Sequence, residues 1–417
     1  MLFHPYPCKV HSQILLPWSG TLNWRALEPF QTVLVRRIGD RDEWVIGIGT
    51  HELSTNEPRF GPSACFGFAG YDLKNNFENL TSIHPDQDGF VLSSWWSPRF
   101  FVRLGQGKAI LQVEKGDEGA GSAFLRNFFA DPGPLPPMAR AIWTRTTTKE
   151  RYLEQVRKLL VHIHRGDIYE VNYCTQRTAQ LPEFDPYAAF AKLLAHSDAP
   201  YAAFLRVGDH FALCASPERF IRIEGDRAIS QPMKGTRPRG RSMAEDAALA
   251  EELALDPKER SENIMALDVS RNDLSRIAAP GSVQVEELCA VKTYKNVHQM
   301  VSTVSARIRE GITPMDILRA TFPMASMTGA PKVRAMQLID EAEDMRRGLF
   351  SGTIGFFLPD GTADLNVVIR TLTWDASTGR ASLISGGAIT AASDPVQEYE
   401  ECEHKARTVL NAFGHAC

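Results

Sequence analysis

The sequence predicts an α+β protein, built as a large two-sheet β-sandwich with helices packed outside. Strand-like and helix-like segments follow one another in groups, whereas a doubly wound parallel sheet would need regular alternation. The chain of 417 residues is long enough for a large core. Its 43% hydrophobic and 23% charged residues are typical of a soluble globular enzyme.

The amino-terminal subregion, residues 1–135, is predicted to consist mainly of strands and turns. The runs TVLVRRI and EWVIGIGT are β-rich, with turn residues between them. A linker follows at residues 131–137, because four prolines in seven residues cannot sustain a helix or a central strand. It separates this subregion from a larger region, residues 140–417.

The larger region is expected to begin with an amphipathic helix that starts near Thr148 and stops at Gly166. Apolar residues at positions 153, 156, 159 and 160 form its buried stripe. The segments DIYEVNYCTQRTAQL, AAFLRVG, HFALCAS and RFIRIEG then have the pattern of strands. A loop around Lys234 and a helical stretch from Ser242 to Leu274 follow them.

The remainder of the chain mixes both kinds of element. Strands are predicted at VQVEEL and VHQMVSTVSARI, and helices at ITPMDILRATF and APKVRAMQLIDEAEDM. Three further strands are predicted at GLFSGTIGFFL, DLNVVIRTLTW and ASLISGGAIT. A final helix is expected to have Ser393 or Asp394 as its N-cap and Pro395 in its first turn.

Charge and cysteine content exclude several classes of protein. A net charge of −4 leaves no basic excess to neutralise nucleic-acid phosphates. The seven cysteines are odd in number and contain no CxxC pair, which favours a reducing compartment over a disulfide framework or a zinc site. No apolar run is long enough for a membrane span or a signal peptide, so we expect a cytoplasmic protein.

Lys234 is a candidate nucleophile within the segment QPMKGT, residues 231–236. Gly235 and Thr236 favour a tight bend, and the apolar neighbours Pro232 and Met233 would remove part of the hydration of the amine. Desolvation disfavours the ammonium, so we expect a free amine near neutral pH. The alternative is an ordinary solvated surface lysine.

Glu218 is the carboxylate best placed to assist such a lysine. It follows the apolar run HFALCA within SPERF, sixteen residues before Lys234, and a hairpin would bring both into one cleft. One group could then transfer protons while the other attacks. A salt bridge between Glu218 and an arginine at the end of a turn is the alternative.

Two ExxE pairs lie on predicted helices, and their i, i+3 spacing places both carboxylates of a pair on one helix face. Two such faces brought together would supply hard oxygen ligands of the kind that Mg²⁺ prefers. Solvated acidic helix faces are the alternative. The pairs are Glu259 with Glu262 and Glu398 with Glu401.

Several other residues could bind an anionic substrate. Arg370, within VVIRTL, is a cation that needs an anion. Residues 328–332 could present backbone N–H groups at a helix start, and residues 385–387 would allow close backbone approach to a ligand or form a bulge. His298, within an alternating strand, is more often a satisfied core residue. Together these features describe a site for a small dianion.

The order and spacing of six motifs resemble those of the chorismate-utilising enzymes, from about residue 150 to the end. The motifs are PMKGTRPRG, SPERF, ENIMALDVSRNDL, VHQMVSTVSARI, TGAPKVRAM and EYEECEHKARTVL. FGFAGYDLKNNFENL and a Pro-Phe-Gln turn near residue 30 further resemble the amino-terminal region of the aminodeoxychorismate synthases. The resemblance implies the two-sheet fold of that family.

The lysine in PMKGT implies the aminodeoxychorismate synthase branch, since the related anthranilate synthases usually carry alanine there. The resemblance implies that Lys234 attacks C2 of chorismate and expels the C4 hydroxyl, with Glu218 as general acid and base. Ammonia then adds at C4 to give 4-amino-4-deoxychorismate, a precursor of para-aminobenzoate and folate. The alternatives are anthranilate synthase component I, an isochorismate or salicylate synthase, and a non-catalytic relative that binds chorismate.

The resemblance also implies the other site residues. Glu262 and Glu401 would bind Mg²⁺ directly, while Glu259 and Glu398 would hold metal-bound water. His298 and Thr328 would contact substrate, and Arg370 and Gly386 would bind the enolpyruvyl carboxylate, with Gly387 beside them. No glutamine amidotransferase motif is present, so ammonia is expected from a separate glutaminase subunit or from free ammonium.

Three positions depart from the family pattern. Glu170 stands where glutamine is usual, which implies an additional carboxylate near the site and counts against the water-using relatives, which need a lysine there. Phe350 replaces a tyrosine of the carboxylate-binding strand. Residues 324–326, Met-Ala-Ser, replace a glycine-rich segment.

Overall fold

The computed structural model describes residues 11–413 except 19, 21, 40, 41, 51–54, 139, 140 and 296. Its strands are β1 (His11–Pro17), β2 (Thr32–Ile38), β3 (Glu43–Ile48), β4 (Cys65–Ala69), β5 (Ser93–Trp96), β6 (Phe100–Gly105), β7 (Lys108–Glu114), β8 (Thr144–Arg145), β9 (Glu170–Gln180), β10 (Ala203–Val207), β11 (His210–Cys214), β12 (Arg219–Glu224), β13 (Arg227–Ser230), β14 (Met233–Pro238), β15 (Gln284–Thr293), β16 (Val297–Arg307), β17 (Gly329–Ala330), β18 (Thr353–Phe357), β19 (Ala363–Asn366), β20 (Thr371–Asp375) and β21 (Arg380–Thr390). Its α-helices are α1 (Lys74–Phe77), α2 (Glu118–Phe128), α3 (Lys149–Arg165), α4 (Pro186–His196), α5 (Met243–Leu255), α6 (Pro257–Ser275), α7 (Pro314–Thr321), α8 (Lys332–Ala342) and α9 (Pro395–Asn411).

The strands form two antiparallel sheets, as the predicted α+β class requires. The first sheet has the order β1-β7-β6-β3-β2-β10-β11-β20-β21-β9-β17, with β8 beside β9. The second has the order β14-β16-β13-β12-β19-β18-β4-β5, with β15 beside β16. Strands from the first 114 residues join both sheets, so this part of the chain completes the same two layers.

Apolar side chains of the two sheets pack against each other in one buried cluster. Leu34 and Leu205 of the first sheet share it with Phe68 and Phe356 of the second. A second cluster lies between the first sheet and helices α2, α4 and α9, where aromatic side chains fill the interface. Burial of this area is the main stabilising contribution, at roughly 25 cal/mol per Å² of apolar surface.

Two helix boundaries follow the predicted capping chemistry. Thr148 caps α3 by accepting from the backbone N–H of Arg151, and Gly166 ends it with φ +85°. Asp394, rather than Ser393, is the side chain that caps α9, accepting from the backbone of Val396 and Gln397. The predicted starts of both helices and the predicted end of α3 are therefore confirmed.

Three predicted elements are interrupted in the structure. The helical stretch from Ser242 to Leu274 is divided at Asp256, which ends α5 and caps α6, while Pro257 occupies the first turn of α6. The run GLFSGTIGFFL begins with a turn and becomes a strand only at Thr353. DLNVVIRTLTW divides into β19 and β20, because Arg370 has a positive φ of 53°.

The described residues contain no helix that is long and apolar enough to cross a membrane. Five cysteines lie in this part of the chain, and all five are buried. Cys8 and Cys417 lie outside the described residues.

Candidate active site

Lys234 lies on β14, at the edge of the second sheet, rather than in the predicted loop. Lys234 pairs with Met300 of β16 and Thr236 pairs with Gln299, so Gly235 is the extra residue of a β-bulge. Gly235 has φ +77°, and a Cβ there would lie 3.0 Å from both Glu259 Oε2 and Leu253 Cδ1. The predicted need for glycine is therefore real, although the bend is a bulge.

The side chain of Lys234 is held by Glu170, at the start of β9. Lys234 Nζ donates to Glu170 Oε1 over 2.6 Å, and the two side chains are only 10% and 5% exposed. Because β14 belongs to the second sheet and β9 to the first, this buried ion pair joins the two sheets. The sequence indicated a carboxylate near the site but not that it pairs with the lysine.

The predicted free amine of Lys234 is wrong for this state of the protein. Burial does lower the pKa of Lys234, as the apolar neighbours indicated, but Glu170, Glu262 and Glu218 raise it by more. The net pKa lies above the ordinary lysine value, so Lys234 is an ammonium ion near neutral pH. Nearby carboxylates outweigh desolvation.

Glu218 is buried between β11 and β12, within the electrostatic reach of Lys234. Burial raises the pKa of Glu218 to about 7, while a hydrogen bond from Ser326 and the charge of Lys234 partly oppose this shift. Within the described residues Glu218 forms no ion pair with an arginine; its neighbour Arg219 pairs with Asp364. The carboxyl group can thus exist in both protonation states near neutral pH.

Ser326 is a site residue that sequence reasoning did not assign. Its hydroxyl donates to Glu218 Oε1 over 2.7 Å, and its carbonyl accepts from Asn172 Nδ2 over 3.3 Å. It lies in a short 3-10 turn, residues 325–327. The sequence did offer one indication of its importance, because residues 324–326 are among the three positions that depart from the family pattern.

The two ExxE faces do meet, with lysines between them. Lys258 Nζ lies 3.2 Å from Glu398 Oε1 and 3.8 Å from Glu262 Oε1, so it bridges α6 and α9. Lys405 Nζ lies 2.6 Å from Glu401 Oε1. Glu259 lies 3.4 Å from Arg237 Nη1. The glutamates therefore form one cluster rather than two separate solvated faces.

The cluster has the chemistry of a site for a hard cation. Among the residues that the structure describes, no three acidic, histidine or cysteine side chains are arranged as metal ligands. Glu262 Oε1, however, is buried without a hydrogen-bond partner, a costly state for a carboxylate oxygen. Burial raises the pKa of Glu262 to about 7. A cation close to this oxygen would relieve both penalties, so these residues fit a magnesium ion.

Gly386 and Gly387 have different reasons to be glycine. A Cβ at Gly386 would lie 2.4 Å from Cys174 Sγ, so close packing between β21 and β9 requires its absence. A Cβ at Gly387 would lie 3.5 Å from Glu398 Oε2 and 3.9 Å from Glu401 Oε1. Gly387 therefore keeps a side chain away from these carboxylates, which lie at ordinary van der Waals distance from the position of its absent Cβ.

Arg370 is a half-buried cation without a protein anion in the described chain. Its guanidinium makes no hydrogen bond and no ion pair with the described residues, and burial lowers its pKa while Glu401 partly offsets that effect. It lies between β19 and β20 rather than within one strand. A guanidinium in this condition can receive a carboxylate of a ligand.

His298 and Thr328 are both buried and bonded to the protein. His298 Nε2 lies 2.9 Å from Asp246 Oδ1, and its Nδ1 lies 3.0 Å from Thr293 Oγ1. Thr328 Oγ1 donates to the carbonyl of Met324 over 3.1 Å, ahead of β17. Thr328 lies in a bend, residues 329 and 330 form β17, and α8 starts only at Lys332, so the helix begins later than predicted. Their substrate contacts remain predictions.

Phe350 packs in the apolar core, in a turn rather than in the predicted strand. Arg347, three residues earlier, is fully buried and donates to the carbonyls of Met327 and Asn172, each over 2.7 Å. Arg347 also pairs with Glu343. This buried arginine fixes β9 against the turn that carries Ser326, a contact that sequence reasoning missed.

Comparisons with known proteins match most of this chain. Residues 34–411 match the model of the chorismate binding enzyme family. The chain is 38% identical over 364 residues to anthranilate synthase component 1 of Thermus thermophilus, covering 85% of this chain and 78% of that one. It is 41% identical over 351 residues to aminodeoxychorismate synthase component 1 of Salmonella typhimurium, covering 83% and 75%.

A solved structure shows the same fold. Anthranilate synthase component I from Streptococcus pneumoniae superposes with a TM-score of 0.73 over 98% of this chain and 94% of that chain. At 23% sequence identity, this likeness concerns the fold.

Replacement of Gly235 by alanine should cost more stability than replacement of Gly208. Both have positive φ, so each variant loses about 1 kcal/mol to backbone strain. Gly208 has nothing within 4 Å of an added Cβ, whereas Gly235 meets Glu259 and Leu253 at 3.0 Å. We expect about 1–3 kcal/mol of further loss in G235A from overpacking. Urea unfolding measures both, and equal losses would contradict the crowding at the bulge.

Proposed function

This chain belongs to the chorismate binding enzyme family, and we propose that it converts chorismate and ammonia to 4-amino-4-deoxychorismate. The observation that carries the proposal is a buried lysine, Lys234, within the electrostatic reach of Glu218, a buried carboxyl group whose pKa is raised to about 7. Such a pair can supply a nucleophile and a proton donor in one cleft. The product leads to para-aminobenzoate and folate.

In the first half of the reaction, Lys234 Nζ forms a bond to C2 of chorismate. The C4–O bond breaks, and the departing oxygen takes the proton of Glu218 and leaves as water. In the second half, ammonia adds at C4, the bond between Nζ and C2 breaks, and Glu218 accepts a proton from the new amine. Covalent attachment divides one difficult substitution into two easier steps.

The dianionic substrate needs positive charge at both carboxylates. We propose that Arg370 receives the enolpyruvyl carboxylate, because its guanidinium has no protein anion in the described chain. The ring carboxylate would lie beside Gly387, which places no side chain against Glu398 and Glu401. His298 and Thr328 are proposed to complete the contacts with substrate.

The glutamate cluster is proposed to hold Mg²⁺, with Glu262 and Glu401 as direct ligands and Glu259 and Glu398 holding its water. A magnesium ion, when bound, supplies positive charge for the ring carboxylate. The Glu262 oxygen that lacks a hydrogen-bond partner supports this assignment. Lys258 and Lys405 neutralise the same carboxylates in the structure described.

Ammonia is proposed to come from a separate glutamine amidotransferase subunit. Similar proteins are named component 1, which implies a partner subunit for them. Free ammonium is the second source that the chemistry allows. The five buried thiols of the described chain support a reducing setting, which we propose to be the cytoplasm.

Replacement of Lys234 by alanine should abolish the covalent intermediate. Wild-type protein incubated with chorismate and Mg²⁺, without ammonium, should gain the mass of the dehydrated substrate at Lys234, whereas K234A should not. With ammonium, the wild type should form a product that aminodeoxychorismate lyase converts to para-aminobenzoate. K158A is the matched control, because Lys158 is exposed on α3 and pairs only with Glu154 among the described residues. Anthranilate as the product would contradict the proposal.

Adduct formation in the wild type should fall as pH rises through about 7. The pKa of Glu218 is raised to about 7, and its protonated form is the donor, so the donor is present below that pH and lost above it. We expect a fall of about tenfold per pH unit on the alkaline side. E218Q should be about 10²-fold slower and should lack this fall. An unchanged alkaline fall in E218Q would remove Glu218 from the role of proton donor.

Replacement of Lys258 by methionine should strengthen magnesium binding. Lys258 lies 3.2 Å from Glu398 and 3.8 Å from Glu262, so its ammonium competes with a divalent cation for the same carboxylates. We expect about a tenfold lower Kd for Mg²⁺, about 1.4 kcal/mol, by calorimetry without substrate. K158M controls for the loss of a lysine elsewhere. Equal Kd values in K258M and wild type would show that Lys258 does not compete.

A further inference from the structure

Glu170 lies against the reacting nitrogen, and the proposed reaction has not yet given it a task. We propose that Glu170 is the base that takes the proton from Lys234 and so exposes the nucleophile. This inference rests on the proposed function, because it concerns how the same lysine becomes reactive. It explains why a lysine held as an ammonium ion can still attack.

The geometry favours Glu170 over the other carboxylates. Among the described residues, Glu170 is the one side chain that accepts a hydrogen bond from Lys234 Nζ, over 2.6 Å. Glu262 and Glu218 influence Lys234 through their charge, yet in the described chain neither forms a hydrogen bond or an ion pair with it. Glu170 is therefore the carboxylate to which Lys234 can pass a proton along an existing hydrogen bond.

The position of Glu170 is fixed by its strand. Its backbone lies opposite Ala330 of β17 on one side and opposite Thr390 of β21 on the other. The neighbouring Tyr169 N–H donates to the carbonyl of Ala330 over 2.7 Å. A carboxylate on a strand with partners on both sides keeps its place while the longer lysine side chain moves toward substrate.

The protons balance over one turnover. The proton of Lys234 Nζ moves to Glu170, and the freed electron pair forms the bond to C2. The C4–O bond breaks as the departing oxygen takes the proton of Glu218 and leaves as water. Ammonia then forms the C4–N bond, and the electrons of the bond between C2 and Nζ return to Nζ. Glu218 takes a proton from the new amine, and Glu170 returns its proton to Lys234.

This mechanism has a specific dependence on pH. The resting ion pair and the reactive neutral pair hold the same number of protons, so the population of free amine does not change with pH. Without the carboxylate of Glu170, the lysine must lose its proton to solvent. The reactive fraction then rises about tenfold per pH unit below the pKa of Lys234.

Other groups near the pair titrate as well, and they must be separated from it. Glu262 on α6, Glu218 before β12 and Glu401 on α9 all interact electrostatically with Lys234. They are present in both the wild type and a Glu170 variant. The ratio of variant rate to wild-type rate at each pH therefore cancels the part of their contribution that does not depend on Glu170.

The test measures adduct formation in E170Q and in the wild type from about pH 6 to about pH 8, with saturating chorismate and Mg²⁺ and no ammonium. Rapid quenching followed by intact-protein mass spectrometry gives the rate. We expect the ratio of E170Q to wild type to rise about tenfold per pH unit. A ratio that stays constant over this range overturns the inference.

Glu170→Asp provides a second variant that keeps a carboxylate. E170D should form the adduct more slowly, because the shorter side chain lengthens the contact with Lys234, yet its ratio to wild type should be independent of pH. If the ratio of the E170D rate to the wild-type rate rises with pH as that of E170Q does, the inference is overturned. E150Q, at the exposed start of α3, controls for the loss of a carboxylate elsewhere. Absence of any adduct in wild type contradicts the proposed function, whereas an adduct with a constant E170Q ratio contradicts only the role of Glu170.

Discussion

The buried ion pair between Lys234 and Glu170 connects the two sheets at the point where the chemistry is proposed to occur. Each charge would be costly to bury alone, and the pair is tolerated because a short hydrogen bond of 2.6 Å compensates both. The bulge at Gly235 aims the lysine, and the two neighbours of β9 fix the glutamate. The rest of the site is arranged around this contact.

Burial and neighbouring charges shift the pKa values of the site residues in opposite directions. The number of nearby charged groups decides which effect is larger. The carboxylates around Lys234 raise its pKa by more than desolvation lowers it, so the net pKa rises. The charges of Lys234 and Lys405 and the hydrogen bonds from Ser326 and the Met233 backbone do not cancel the effect of burial on Glu218, so its pKa also rises, to about 7. The result is a protonated lysine next to a carboxyl group that can hold or release a proton.

The sequence was sufficient for the fold class, for the caps of α3 and α9, and for the grouping of the ExxE pairs in one cluster. These features depend on local patterns or on motifs with fixed spacing. The partner of Lys234 lies 64 residues away on another sheet, and the hydroxyl that contacts Glu218 lies 108 residues away. The residues next to Lys234 therefore predicted its desolvation correctly but its protonation state wrongly. They do not show which charged residues from distant parts of the chain lie close to the amine in the fold.

The bulge at Gly235 also has a consequence for how this segment can evolve. Side chains of a strand alternate between its two faces, so one residue more or fewer between Gln231 and Thr236 would turn the amine toward the opposite face of the sheet. Insertions and deletions here would remove the reactive group even where every amino acid of the motif survived. The length of this segment thus constrains the direction of the amine independently of its amino-acid composition.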